Sequence, residues 1–167
     1  CMKHVANYTR LACQERVKEQ MQNNTQEDII EIEFPIKSGD FVAAGDASSK
    51  TKKLLKQLGI NPEIIRRAAI ACYEAELNLV IHSLGGSLIL TITPSELVIK
   101  TQDIGPGIAD VDLAMQEGYT TASDSARELG FGAGMGLPNI KRCADNVEIV
   151  SELGQGTELT ITIKTNK

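Results

Sequence analysis

The chain has 167 residues, 42% of them apolar, and a formal net charge of −5. That length suits one domain with a sizeable core plus a short appendage. The acidic balance argues against a general binder of nucleic acid or anionic membranes, and no apolar run reaches the roughly 18 residues that a membrane span needs.

The N-terminal stretch, CMKHVANYTRLACQERVKEQ, is polar and lacks the apolar centre of a secretory signal, so a cytoplasmic location is expected. Residues 2–22 read as a modest helix with Val5, Tyr8, Ala12 and Val17 loosely on one side. Gln, Asn and Glu crowd residues 14–27, which suggests a linker or a fraying helix end. Residues 1–27 are therefore read as an extension, helical or flexible, and 28–167 as the compact domain.

Alternation in IIEIEFPI (29–36) predicts a strand, with Pro35 at its end or on an edge. Ser38-Gly39-Asp40 turns the chain. Residues 46–58 are predicted helical, starting on a cap-like Asp46 and stopping at Gly59. Asn61-Pro62 opens the next helix, with Asn as the cap and Pro in the first turn, where its missing N–H costs nothing. That helix keeps a helical period through Ile64, Ile65, Ala68, Cys72, Ala75 and Leu79, and Gly85-Gly86 ends it. Strands follow at 87–93 and 96–103 around a Pro94-Ser95 turn, then short helices at 110–117 and about 137–145. The last two strands, VEIVSE and TELTITIK, are joined by Leu153-Gly154-Gln155-Gly156. Strands and helices do not alternate strictly. The expected architecture is α+β: a two-layer sandwich with a mixed, mostly antiparallel sheet and helices over one face.

Cys1, Cys13, Cys72 and Cys143 form no C-x-x-C pair, and the histidines are only His4 and His82. Free thiols in a reducing compartment are expected rather than a zinc or iron–sulfur centre.

The most telling stretch is GYTTASDSARELGFGAGMGLPNIKR (118–142). A polar segment leads into glycines at 130, 132, 134 and 136, and a helix then starts with Pro138 in its first turn. Free N–H groups at such a start favour phosphate. The P-loop pattern is absent, no strand feeds the glycines as in a dinucleotide-binding turn, and the landmarks of the common protein kinases are missing. Three further stretches sharpen the reading. Glu74, Asn78 and His82, four apart, share one helix face. Asp103-Ile104-Gly105-Pro106-Gly107-Ile108 follows a strand, and Gly154-Gln155-Gly156-Thr157 precedes the last one.

Together, over about 61–164, these stretches resemble the N, G1, G2 and G3 boxes of the GHKL (Bergerat-fold) ATPases. That superfamily includes gyrase-type topoisomerases, the large heat-shock chaperone, histidine kinases and mismatch-repair ATPases. Within it the chain is most similar to the small bacterial anti-sigma-factor and switch kinases, which phosphorylate Ser or Thr on STAS-domain partners. The patterns E-A-x-x-N-x-x-x-H (74–82), D-x-G-P-G-I (103–108), G-Y-T-T (118–121) and G-A-G-M-G-L-P-N-I-K-R (132–142) carry the likeness.

The resemblance implies ATP and magnesium as cofactors, a STAS-domain protein as partner, a sigma factor as a further one, and a homodimer. It assigns Asp103 to the adenine amine, Gly105, Gly107 and Ile108 to the base pocket, and Thr157 to a water-mediated adenine contact. Asn78 becomes the magnesium ligand and Glu74 the catalytic base. Gly132, Ala133, Gly134, Met135, Gly136 and Leu137 hold the phosphates, while Thr120, Thr121 and residues 122–131 form a lid that orders on ATP. His82 borders the phosphates or the lid. Each position also has a plainer reading: a turn-capping Asp, a hydrogen-bonding helix Asn, a solvated Glu, an ordinary strand Thr, a structural His. Glu76 is read as structural. Several anti-sigma kinases carry an arginine before G-M-G, whereas Gly132-Ala133 stand here, so Arg127, Lys141 or Arg142 is left to supply positive charge. Two other activities stay open: a non-kinase ATP switch that controls a partner, and a stand-alone ATPase domain of the histidine-kinase type.

Overall fold

The computed structural model describes residues 29–165, so the expected helix at 2–22, the 1–27 extension and the start of the compact domain at residue 28 lie outside the described residues. In chain order the elements are β1 (Ile30–Ile36), α1 (Asp46–Gln57), α2 (Pro62–His82), β2 (Gly86–Ile92), β3 (Glu96–Asp103), α3 (Val111–Ala114), α4 (Asp124–Glu128), α5 (Gly136–Cys143), β4 (Asn146–Glu152) and β5 (Gly156–Lys164). The five strands lie in the order β1-β2-β3-β5-β4. The two-layer α+β sandwich is as expected. The sheet, however, is not mixed: every pairing among the described residues is antiparallel.

Period-two patterning decides which face of the sheet is covered. Leu88, Leu90 and Ile92 of β2, Leu97 and Ile99 of β3, and Leu159, Ile161 and Ile163 of β5 point inward and are buried. Against them α2 lays Ile64, Ile65, Ala68, Ala71, Cys72, Ala75 and Leu79, with Leu55 of α1 and Ile140 of α5 closing the core. Each fully buried Leu or Ile contributes about 1.5–3 kcal/mol by leaving water. Small residues at 68, 71 and 75 let α2 sit close to the strands. Burial among these groups also pushes the Cys72 thiol up to about 12, so it stays protonated at neutral pH. Among the described residues no helix is long and apolar enough to cross a membrane, and no cluster of three His, Cys, Asp or Glu could hold a metal.

The start of α1 differs from expectation. Asp46 is its first helical residue, not its cap. Gly45 takes the cap position in the left-handed region (φ 99°) with no side chain to offer. The missing cap comes from α2 instead: Glu76, 1% exposed, accepts from the N–H groups of Ala47 (3.2 Å) and Ser48 (3.3 Å). A buried carboxylate at a helix start satisfies two orphan donors and faces the positive end of the dipole. Ser48 Oγ donates to the Ala69 carbonyl at 2.8 Å and completes the clasp between the two helices. Asn61, by contrast, caps α2 as expected, accepting from the Glu63 N–H.

Glu76→Ala leaves those two buried N–H groups without an acceptor. We expect it to lower stability by about 1–3 kcal/mol, read as a reduced urea midpoint at unchanged slope, with Glu76→Gln losing less because it keeps one acceptor oxygen.

Candidate functional site

The topology brings two distant segments together at one end of the sheet. Because β5 lies beside β3, Gln102 pairs with Glu158, and the next residues outward are Asp103 and Thr157. Asp103 Oδ1 accepts from the Thr157 N–H at 3.2 Å. Thr157 Oγ1 lies 2.9 Å from Ser151 Oγ, which donates to the Gly156 carbonyl and accepts from the Ile108 N–H at 2.8 Å. Ser151, on the neighbouring edge strand, was not anticipated. Its only sequence signal is its place opposite Thr157 in the β4–β5 register.

Space around Asp103 is kept by glycines. A Cβ on Gly156 (φ 131°) would strike the Asp103 carbonyl, and one on Gly105 would come within 3.0 Å of Asp103 Oδ1. The wall on the other side is the end of α2, with the His82 carbonyl 3.5 Å from that same Gly105 position. Burial raises the Asp103 carboxyl above its ordinary range, partly opposed by the Thr157 amide. Gly107 (φ 70°) presses so closely on the Glu152 carbonyl that no side chain fits there.

Glu74 and Asn78 project one turn apart from α2 towards the start of α5. A Cβ on Gly136 would stand 3.1 Å from Asn78 Oδ1 and 3.5 Å from Glu74 Oε2. Helix α5 begins at Gly136 with no side-chain cap on Met135, so its first N–H groups have no cap acceptor there. From Glu74 to His82 the helix rises about 12 Å, which joins the α5 end of the site to the Asp103 end. The candidate base-pocket and α5-start residues therefore lie along one side of α2. Leu137 packs on the core instead, and Ala133 is exposed.

The segment after α3 folds over this trough. Thr120 Oγ1 accepts from the Ala122 N–H, and Thr121 Oγ1 lies 3.3 Å from His82 Nδ1, whose ring burial holds below its ordinary pKa. Read from sequence as a flexible lid, residues 122–131 include a short helix, α4, capped by Ser123. Ala122 and, within the helix, Ala126 are buried, and Phe131 stacks on Phe41 at 5.1 Å between ring centroids. Gly132 backs onto Ala122, and the Gly118 N–H donates to the Gly134 carbonyl at 2.9 Å.

The three basic candidates part company. Arg127 pairs with Asp124 of its own helix at 3.9 Å, and Lys141 is exposed. Arg142 binds Glu117 and also donates to Asn139 Oδ1 at 3.3 Å. Asn139, which carried no role in the sequence reading, donates to Glu74 Oε1 at 2.7 Å.

Asn78 Oδ1 offers one hard, neutral oxygen beside Glu74. That donor fits magnesium, which keeps most of its waters and takes only one or two protein oxygens.

The family described as histidine kinase-, DNA gyrase B-, and HSP90-like ATPase matches residues 64–167. The serine/threonine-protein kinase RsbT of Bacillus subtilis (strain 168) is 29% identical over 124 residues, 72% of this chain and 85% of that one. An anti-sigma F factor of Clostridium acetobutylicum is 33% identical over 102 residues, 58% of this chain and 68% of its own length. The fold is similar to a chain in the crystal structure of the SiaB–SiaC complex from Pseudomonas aeruginosa, with TM-score 0.53 and 12% identity over 90% of this chain and 98% of that one. The chain belongs to the histidine kinase-, DNA gyrase B- and HSP90-like ATPase family, and that membership implies ATP binding.

Asp103→Asn separates binding from stability. A carboxyl that titrates higher when folded holds its proton more tightly in the folded state, so its contribution falls as pH rises from the unfolded value through the folded one. At neutral pH the variant is expected to melt at the same temperature or higher, yet to lose adenosine binding by calorimetry. For the wild type, adenosine binding should weaken on acidification at a higher pH than an unburied aspartate would dictate.

Proposed function

We propose that this chain is an ATP- and magnesium-dependent protein kinase of the anti-sigma-factor and switch type, transferring phosphate to a Ser or Thr of a STAS-domain partner. The observation that carries the reading is the convergence of Glu74 and Asn78 on Gly136 at the uncapped start of α5. The relatives named as a serine/threonine-protein kinase and an anti-sigma F factor support it. In this reading 28–167 is the catalytic domain, 1–27 an accessory extension and the cytoplasm the workplace.

Asp103 accepts from the exocyclic amine of adenine, in a pocket bounded by Gly105, Gly107, Ile108 and Thr157. The phosphates lie along α2 towards Gly132, Gly134 and Gly136, where the α5 N–H groups meet their charge. Asn78 would hold magnesium, which when bound would supply positive charge to the phosphate oxygens. Glu74 Oε2 takes the proton of the attacking Ser or Thr hydroxyl. The Ser or Thr hydroxyl oxygen bonds to the γ-phosphorus as the bond to the β,γ-bridging oxygen breaks, and ADP leaves with the bonding electrons. Thr120, Thr121 and the α4 segment cover the reacting groups and exclude water.

A second reading rests on the packing of α4, through Ala126 and the Phe41–Phe131 stack, onto the body of the protein. Here ATP serves only to set the lid, and the lid binds the partner.

Glu74→Gln distinguishes the two. Under the kinase reading it lowers phosphotransfer by about 10²–10⁴-fold while ATP still binds. Under the switch reading, partner control survives. The assay is incubation with ATP, magnesium and each STAS protein of the source genome, with phosphoserine and phosphothreonine read by mass spectrometry. No transfer to any of them, with ATP bound, removes the kinase reading. Acid-labile phosphate would point instead to histidine chemistry.

A further inference from the structure

Asn139 stands between a group that only accepts hydrogen bonds and a group that only donates them. Its Nδ2 donates to Glu74 Oε1 at 2.7 Å, and its Oδ1 accepts from Arg142 Nη1 at 3.3 Å. Flipping the amide would set oxygen against carboxylate and nitrogen against guanidinium, so the two partners fix its orientation. Arg142 in turn pairs with Glu117, the residue before Gly118 at the root of the lid segment. Its guanidinium therefore spans from α5 to that root.

We propose that Asn139 is the positioning residue for Glu74. It rests on the reading of Glu74 as base. With Oε1 tied to Asn139, rotation of the carboxylate is arrested and Oε2 is left 3.5 Å from the Cβ position of Gly136, the first residue of α5. A free glutamate on a helix samples several rotamers, most of which turn the oxygen away from an incoming hydroxyl. Holding one rotamer removes that search, and a misplacement of 1 Å at such a site costs on the order of 10²-fold in rate. Arg142 and Glu117 act behind Asn139 as a strut, so the base is braced against α5 and the lid root rather than against α2 alone.

The test is a cycle of Asn139→Ala, Glu74→Gln and the double variant, with phosphotransfer measured against ATP concentration. Alanine favours the helix, so α5 is expected to form, and a melt checks the fold. The expected result is a fall of about 10–10²-fold in kcat for Asn139→Ala at unchanged KM for ATP, with no further loss on the Glu74→Gln background. A wild-type kcat, a rise in KM alone, or losses that multiply in the double variant overturn the proposal. If Glu74→Gln is itself fully active, the base reading fails and the proposal with it. If Glu74→Gln is dead and Asn139→Ala is fully active, only the positioning role fails. A readout independent of turnover is the side-chain amide proton of Asn139. Hydrogen-bonded to a carboxylate, it should move in the nitrogen-correlated spectrum on Glu74→Gln, and an unmoved signal counts against the contact.

Discussion

The burial of α2 against the sheet is the constraint from which fold and site both follow. Once Ala68, Ala71, Cys72, Ala75 and Leu79 face the strands, the helical period sets the direction of every other residue on that helix. Glu74 and Glu76 are two positions apart and so about 200° apart around the axis. One carboxylate turns to α5, the other to α1. The second is buried and used up in capping a helix whose own cap residue is glycine. The first keeps one oxygen unengaged among the described residues. Neither could take the other's place without rotating the helix out of its core.

At the far end of the trough, shape is set by what is missing. Gly86, Gly105 and Gly156 all crowd Asp103, and a Cβ on any of them meets its backbone or carboxylate. The backbone can thus close around a half-buried acid that has one amide partner, Thr157. Such a group is poorly solvated, and in the proposed adenine pocket it would be selective, because a ligand lacking a donor leaves it unpaired.

Much of this was legible in the chain, because it rests on period and on local chemistry. The 96–103 strand is as expected, and Asn61 caps the helix that Pro62 opens. The convergence of Glu74 and Asn78 on the glycine run follows from their spacing and the family pattern. What was not legible depends on tertiary partners. No local signal says that Glu76 will cap α1 from another helix, or that Asn139 will meet Glu74 across 65 positions. Helix α4 has five residues, too few to show periodicity, and only the Ser123 cap marked it. The pairing of β5 between β3 and β4, which makes the sheet antiparallel throughout, is a choice of topology that strand patterns alone leave open.

Charge at the α5 end explains why Asn139 and Arg142 matter together. In the proposed reading a triphosphate there meets the Glu74 carboxylate, the neutral Asn78 oxygen, and a helix start worth about half a positive charge. A second carboxylate at position 78 would repel both the phosphates and Glu74, so an amide oxygen is the better metal ligand. The Arg142 guanidinium on α5 is already engaged by Glu117 and Asn139. Turning it to the phosphates would give up both contacts and release the amide that restrains Glu74. In the proposed reading it acts as a strut that keeps Glu74 in place, and positive charge at the phosphates is left to the metal and the α5 amides.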